Sequence, residues 1–167
     1  LLKMVNRMTV NSQITSIRHA AAMLGEKELR KWLTTAVAGE LYTDKPNEIT
    51  RLSLLRAKFA ENLAPVFSLA IQSSELFLMG LFSVLDVILD IPMEEALNIV
   101  QVSKNIREAL VERKGPFALV QEFISRYENA DWQEVSRLMI VHNLNMDQIY
   151  DAYKGCLKWY RDMIYEQ

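Results

Sequence analysis

The sequence predicts an all-α fold, a multi-helix bundle, on three observations. Apolar side chains recur at three- and four-residue spacing along most of the chain, the period of a helix with one buried face. The stretches are separated by residues suited to helix ends, among them Gly25, Pro46, Pro92, Ser103, Asp131 and Asn145. Five Gly and four Pro in 167 residues are too few for a β sandwich, which turns about every 8 to 12 residues. Chains near this length bury roughly 68 to 70% of their unfolded surface, enough for one core. With no fixed-period repeat and no low-complexity linker, residues 1–167 read as a single domain.

Leu1, Met4, Val5 and Met8 have helical spacing without a preceding cap, so the chain is expected to start inside a helix and the bundle to be N-terminally incomplete. Asn11 and Ser12 make a turn, Ile14, Ile17, Ala21 and Leu24 mark the next helix, and Gly25 ends it. A third helix, from Glu26 to Leu41, carries Leu29, Trp32, Leu33 and Ala36 on one face. The segment Asp44 to Glu48, with Pro46 inside it, is a loop.

Leu52, Leu55, Phe59 and Leu63 then form a stripe, with Arg51, Arg56, Lys58 and Glu61 on other faces, and Pro65 should stop that helix. From Glu75 to Leu89 nearly every side chain is apolar, the pattern of a helix enclosed by others at the centre of a bundle. Asp90 to Pro92 breaks it, and Glu94 and Glu95 suit the first turn of a new helix. Ser103 caps a helix bearing Ile106, Ala109 and Leu110, which Gly115-Pro116 is expected to end. Phe117 to Tyr127 follows. Asp131 and Glu134 form a variant capping box for a helix with Val135, Leu138 and His142. Asn145 opens the last helix, lined on one face by Ile149, Tyr153, Cys156, Tyr160 and Ile164.

A net charge of -2 and a pI of 5.8 disfavour nucleic acid as a partner, since phosphate-backbone affinity rests on Lys and Arg. The single Cys156 cannot close an internal disulfide, which with no charged-then-apolar leader points to a cytoplasmic location. Leu63 to Leu85 is the most apolar stretch, but Pro65 and Gln72 to Glu75 interrupt it, so no membrane span of about 18 uninterrupted apolar residues is expected.

Neither His19 nor His142 has a partner at metal-binding spacing. His19 reads as a helix residue and His142 as one placed near a helix C-terminus. Cys156, on an apolar stripe, reads as a small core residue, and the eight Met with Trp32, Trp132 and Trp159 as core and edge filling. No glycine cluster suits a phosphate loop.

The order of the segments carries a resemblance. LLKMVN from Leu1, ITSI from Ile14, AAAMLG from Ala20, Arg56 to Phe59, Glu61 to Ala64, Phe77 to Asp86, Pro92-Met93, Tyr127-Glu128, Trp132, Tyr153 and Trp159 together look like the HDOD domain, an all-helical bacterial signalling module related to the HD phosphohydrolases. The likeness is to the C-terminal half of proteins that join an EAL domain to an HDOD domain. Active HD enzymes hold metal with a His, a His-Asp pair and a later Asp. By resemblance those ligands would fall near Leu52 and at Ser83 and Val84, where a hydroxyl and apolar groups cannot replace imidazole and carboxylate. No His-Asp pair occurs anywhere in the chain. The tripeptide Glu-Ala-Leu at Glu95 to Leu97 and Glu108 to Leu110 is plain helical sequence, because an EAL barrel takes about 250 residues of alternating strands and helices.

The resemblance thus implies a non-catalytic output module of a cyclic di-GMP-linked regulatory protein, with no catalytic residues, metal or cofactor. Its partner would be an upstream EAL domain or another signalling protein, and the apolar strip Leu1 to Met8 leaves room for self-association. A rival reading keeps a degenerate phosphohydrolase or nucleotide pocket in which Arg51, Arg56 and Lys58 contact phosphate or a partner, since guanidinium groups bind phosphate bidentately.

Overall fold

A computed structural model describes residues 48–100 and 102–165. The Leu1 to Met8 strip, the two helices expected before Leu41, His19, Trp32 and the loop at Pro46 lie outside the described residues. Within them the chain is all helical, with no strand: α1 (Glu48–Leu63), α2 (Ser73–Phe82), α3 (Leu85–Leu89), α4 (Met93–Val100), α5 (Lys104–Arg107), α6 (Gly115–Glu128), α7 (Trp132–Val141) and α8 (Met146–Tyr165). A 3-10 turn, Ala70–Gln72, leads into α2, and a π-helical segment, Glu108–Glu112, continues α5.

Helix α1 ends at Leu63, before Pro65, and its core face differs from the expected stripe. Leu52 and Leu55 are only half-buried, whereas Ser53, Leu54, Ala57 and Ala60 are buried. The reason is the neighbour. Helix α2 lies so close to α1 that a Cβ added at Gly80 would stand 2.6 Å from the Ala57 nitrogen and closer still to the Arg56 carbonyl. Such an approach selects small residues on α1, whose weak hydrophobicity hides the true face in the sequence. Ser53 satisfies its buried hydroxyl by donating to the Leu81 carbonyl oxygen at 2.6 Å.

The apolar run from Glu75 to Leu89 is not one helix. Residues Leu76 to Phe82 are all buried, as expected of a central helix, but α2 stops at Phe82 and α3 starts at Leu85. At the break the Ser83 hydroxyl donates to the Gly80 carbonyl at 2.7 Å while accepting from Arg56 Nη1 at 3.3 Å. A side chain bonding back three residues competes with the backbone ladder, which accounts for the stop. Beyond it Val87 and Ile88 are exposed. Ala70–Ile88 has the length and mean hydropathy, 1.5, of a membrane-crossing helix, yet it is three pieces whose centre packs against α1.

Expected ends are met at several places. The Ser103 hydroxyl accepts from the Ile106 N–H at 3.4 Å and donates to Glu75 at 2.5 Å. Asp131 accepts from Glu134 N–H at 3.4 Å, and Asn145 from Gln148 N–H at 3.1 Å. His142 is the C-cap of α7. Gly115-Pro116, however, opens α6 rather than ending the helix before it; that helix ends at Arg113, whose φ of 56° is left-handed. Proline in the first turn loses no bond there, which explains the reassignment. Both Glu-Ala-Leu tripeptides are helical.

Helix α8 is fastened to α1. Asn62 Nδ2 donates to the Ala152 carbonyl at 2.9 Å, and the buried Cys156 thiol donates to the Leu55 carbonyl at 3.2 Å. Beside this seam the rings of Phe59, Tyr127 and Tyr153 meet, with centroids 5.1 to 5.4 Å apart, so that α1, α6 and α8 share one aromatic cluster. Trp132 extends it, edge-on to Tyr127 at 5.4 Å.

Candidate functional site: an arginine node and its cleft

Arg51, Arg56 and Lys58 lie on one helix at spacings of five and two, so successive side chains point about 140° and 200° apart at the usual pitch. They do not converge. Exposed Arg51 stands 3.7 Å from Glu48. Lys58 bonds Glu61 at 2.8 Å, with its ammonium 5.8 Å from the Trp159 ring centroid. Arg56 turns inward to the end of α6, where Nε lies 3.0 Å from both carboxylate oxygens of Glu128 and Nη2 lies 2.7 Å from Oε2.

Of the sequence-derived positions the fold joins two, Arg56 and Ser83. Leu52 sits one turn before Arg56 on α1, half-buried, and Val84 is buried at the α2–α3 break. A guanidinium therefore contacts a position that the resemblance assigns to a metal ligand. Among the described residues no three His, Cys, Asp or Glu side chains group to hold a metal.

Beside the node opens a cleft of about 780 Å³ whose walls include Arg56, Ser83, Arg113, Gln121, Ser125 and Arg126. Gln121 is buried, 6% exposed, and its Oε1 has no hydrogen-bond partner among the described residues. In the sequence Glu128 stands out only as part of the Tyr127-Glu128 pair of the resemblance, and nothing marks Gln121. Each is an ordinary polar residue within α6, and only the approach of α1 makes the first an ion-pair partner.

Two shifted titrations belong to the α1–α6–α8 packing. Burial pushes the Cys156 thiol up to about 12, against a smaller opposing pull from Lys58. Burial also raises the Tyr127 phenol, with Tyr153 and Tyr150 adding to it. A thiol so held in its neutral form is a poor nucleophile, in keeping with its reading as a core residue.

The class these features define is an all-α bundle with an ion-pair node beside a polar cleft. The chain is 31% identical over 165 residues to cyclic di-GMP phosphodiesterase CdgJ of Vibrio cholerae, covering 98% of this chain and 38% of that protein. It is 26% identical over 169 residues to the uncharacterised protein YuxH of Bacillus subtilis, covering 98% of this chain and 41% of that one. The chain thus spans about two fifths of the length of these curated relatives. No family model matches it, and no solved structure does.

Proposed function

We propose that the chain is a non-catalytic signalling module of the HDOD type, part of a cytoplasmic, cyclic di-GMP-linked regulatory protein, and that it passes a signal through protein contacts. The observation that supports this reading is the contact of Arg56 with Ser83, a position that, by the resemblance, would hold a metal ligand in an HD enzyme, as would Val84 and a position near Leu52. The name of the Vibrio cholerae relative supports the link to cyclic di-GMP, and the order of motifs supports the HDOD assignment. The partner is an EAL domain or another signalling protein. Exposed Ile140, Val141, Met146 and Tyr150, gathered where α7 turns into α8, suit a contact surface, since neighbouring exposed apolar side chains mark interaction sites more than scattered ones do.

The test is hydrolysis of cyclic di-GMP and of simple phosphate esters by the purified 167-residue chain with magnesium or manganese, together with its metal content. No turnover and no stoichiometric metal are expected. Turnover that disappears with a chelator, or one bound transition metal per chain, would refute the reading.

A further inference from the structure

We propose that α8 is the surface through which two copies of this chain pair, antiparallel, about a two-fold axis passing between Tyr150 and Leu157. This goes beyond the non-catalytic reading and does not depend on it.

The pattern of α8 provides the first argument. The helix runs 20 residues, Met146–Tyr165, and packs on the described bundle chiefly through α1, where Ala152 and Cys156 are buried and fastened. A helix on the outside of a bundle needs one apolar face. This one carries a second. Met146, Tyr150, Tyr153, Leu157 and Tyr160 follow one another at spacings of four, three, four and three, the heptad seam of paired helices. Met146 is 54%, Tyr150 59% and Leu157 42% exposed, while Tyr153 and Tyr160 are half-buried. The three exposed side chains fall within about 40° of arc at the usual pitch.

Charge provides the second argument, and it selects the occupant. Asp147 and Asp151 lie in the first half of α8, and Lys154, Lys158 and Arg161 in the second. Asp162 answers the last two of these, at 2.6 and 2.9 Å. Asp147, Asp151 and Lys154 have no ion pair among the described residues. The helix dipole accounts for an acid in the first turn, Asp147, but not for Asp151 or Lys154 in mid-helix. Setting Tyr150 opposite the second copy's Leu157 in an antiparallel pair brings Asp147 within one residue of that copy's Arg161, and Asp151 between its Lys154 and Lys158. A parallel pair would set acid on acid and base on base. The seam is therefore complementary to its own reverse, as a two-fold interface requires. So short a seam belongs with the transient interfaces below about 1,200 Å², and a dissociation constant on the order of 100 μM is expected.

The experiment is sedimentation equilibrium of the 167-residue chain from about 5 μM to about 1 mM, with cysteine cross-linking to read the orientation. A reversible monomer–dimer equilibrium is expected. Tyr150→Glu and Leu157→Glu should each weaken it at least about tenfold while leaving the melting temperature of dilute protein unchanged. Asp151→Lys should weaken it as well, and Asp151→Lys combined with Lys154→Asp should restore it. Under mild oxidation Asp147→Cys mixed with Arg161→Cys should give a disulfide-linked dimer, and neither variant should do so alone; the native Cys156 is buried. A chain that stays monomeric at the highest concentration, pairing indifferent to both glutamate substitutions, or self-linking of Asp147→Cys alone overturns the proposal. The second result would move the contact to another face, and the third would make the pair parallel. Hydrolysis of cyclic di-GMP bears only on the non-catalytic reading, so the two proposals fail separately.

Discussion

Arg56 and Glu128, 72 positions apart, form a two-pronged ion pair that ties the middle of α1 to the last residue of α6. Their side chains are 18% and 24% exposed, so water screens the pair only in part. Glu128→Gln should cost about 1 to 3 kcal/mol, below the 3 to 5 of a fully buried pair. The double variant Arg56→Met with Glu128→Met should cost less than Glu128→Gln alone, because no charge is then stranded. Urea denaturation of the three proteins checks both expectations. A single variant as stable as the parent would mean that the pair is fully solvated.

The glycines of α2 and α8 should respond in opposite ways to alanine. At Gly80 the obstruction is the backbone of α1, which cannot move aside, so Gly80→Ala is expected to lose about 3 kcal/mol or more through overpacking. At Gly155 the nearest atom is the side-chain nitrogen of Asn62 at 3.3 Å. That group can yield, and alanine gains up to about 1 kcal/mol of helix propensity, so Gly155→Ala should be neutral or stabilising. Thermal melts of the two variants decide the matter; equal shifts would contradict the close approach of α1 and α2.

Leu81 is 4% exposed in the middle of the core. Leu81→Ala should cost about 2 to 5 kcal/mol by the transfer and cavity terms. A measured loss under roughly 0.5 kcal/mol, the range of surface substitutions, would put α2 on the outside of the bundle.

For Cys156, folding raises the thiol from 9.0 to about 12. The folded state therefore favours the proton, and this stabilisation is complete below pH 9 and is lost as pH rises towards 12. The expected outcome is alkaline destabilisation over that window, reduced in Cys156→Ala, as read by denaturation at a series of pH values. Reaction with a thiol reagent at pH 8 should require unfolding. Rapid labelling of the native chain would show the thiol to be accessible.

Local signals were legible in the sequence because their physics is local. Pro65, Ser103, Asp131 and Asn145 end or start helices through their own rings and side chains, and each does so where it was expected. The buried face of α1 was legible at Phe59 and Leu63 but not at Ser53, Ala57 and Ala60, which are buried on the side of the helix that meets its neighbours without the hydrophobicity that would announce it. The interruption at Ser83 needs a hydroxyl's choice of acceptor and an arginine from α1. Gly115-Pro116 serves either to end or to begin a helix, and only the left-handed Arg113 before it decides which. In the candidate site, Arg56 and Ser83 were singled out separately, while Glu128 and Gln121 gain their significance from contacts across the bundle.

The backbone contact at Gly80 also limits how this molecule can move. A one-turn slide of α2 along α1, the larger of the steps by which packed helices exchange registers, would bring Leu76 to the place that Gly80 now holds. Its side chain has no room against the Arg56 carbonyl and the Ala57 nitrogen. The two helices must therefore travel as one rigid body, held in a single register. Any rearrangement within the described residues has to be sought at joints elsewhere, such as the short α3, the left-handed Asp90 that ends it, and the widened turn at Glu108–Glu112.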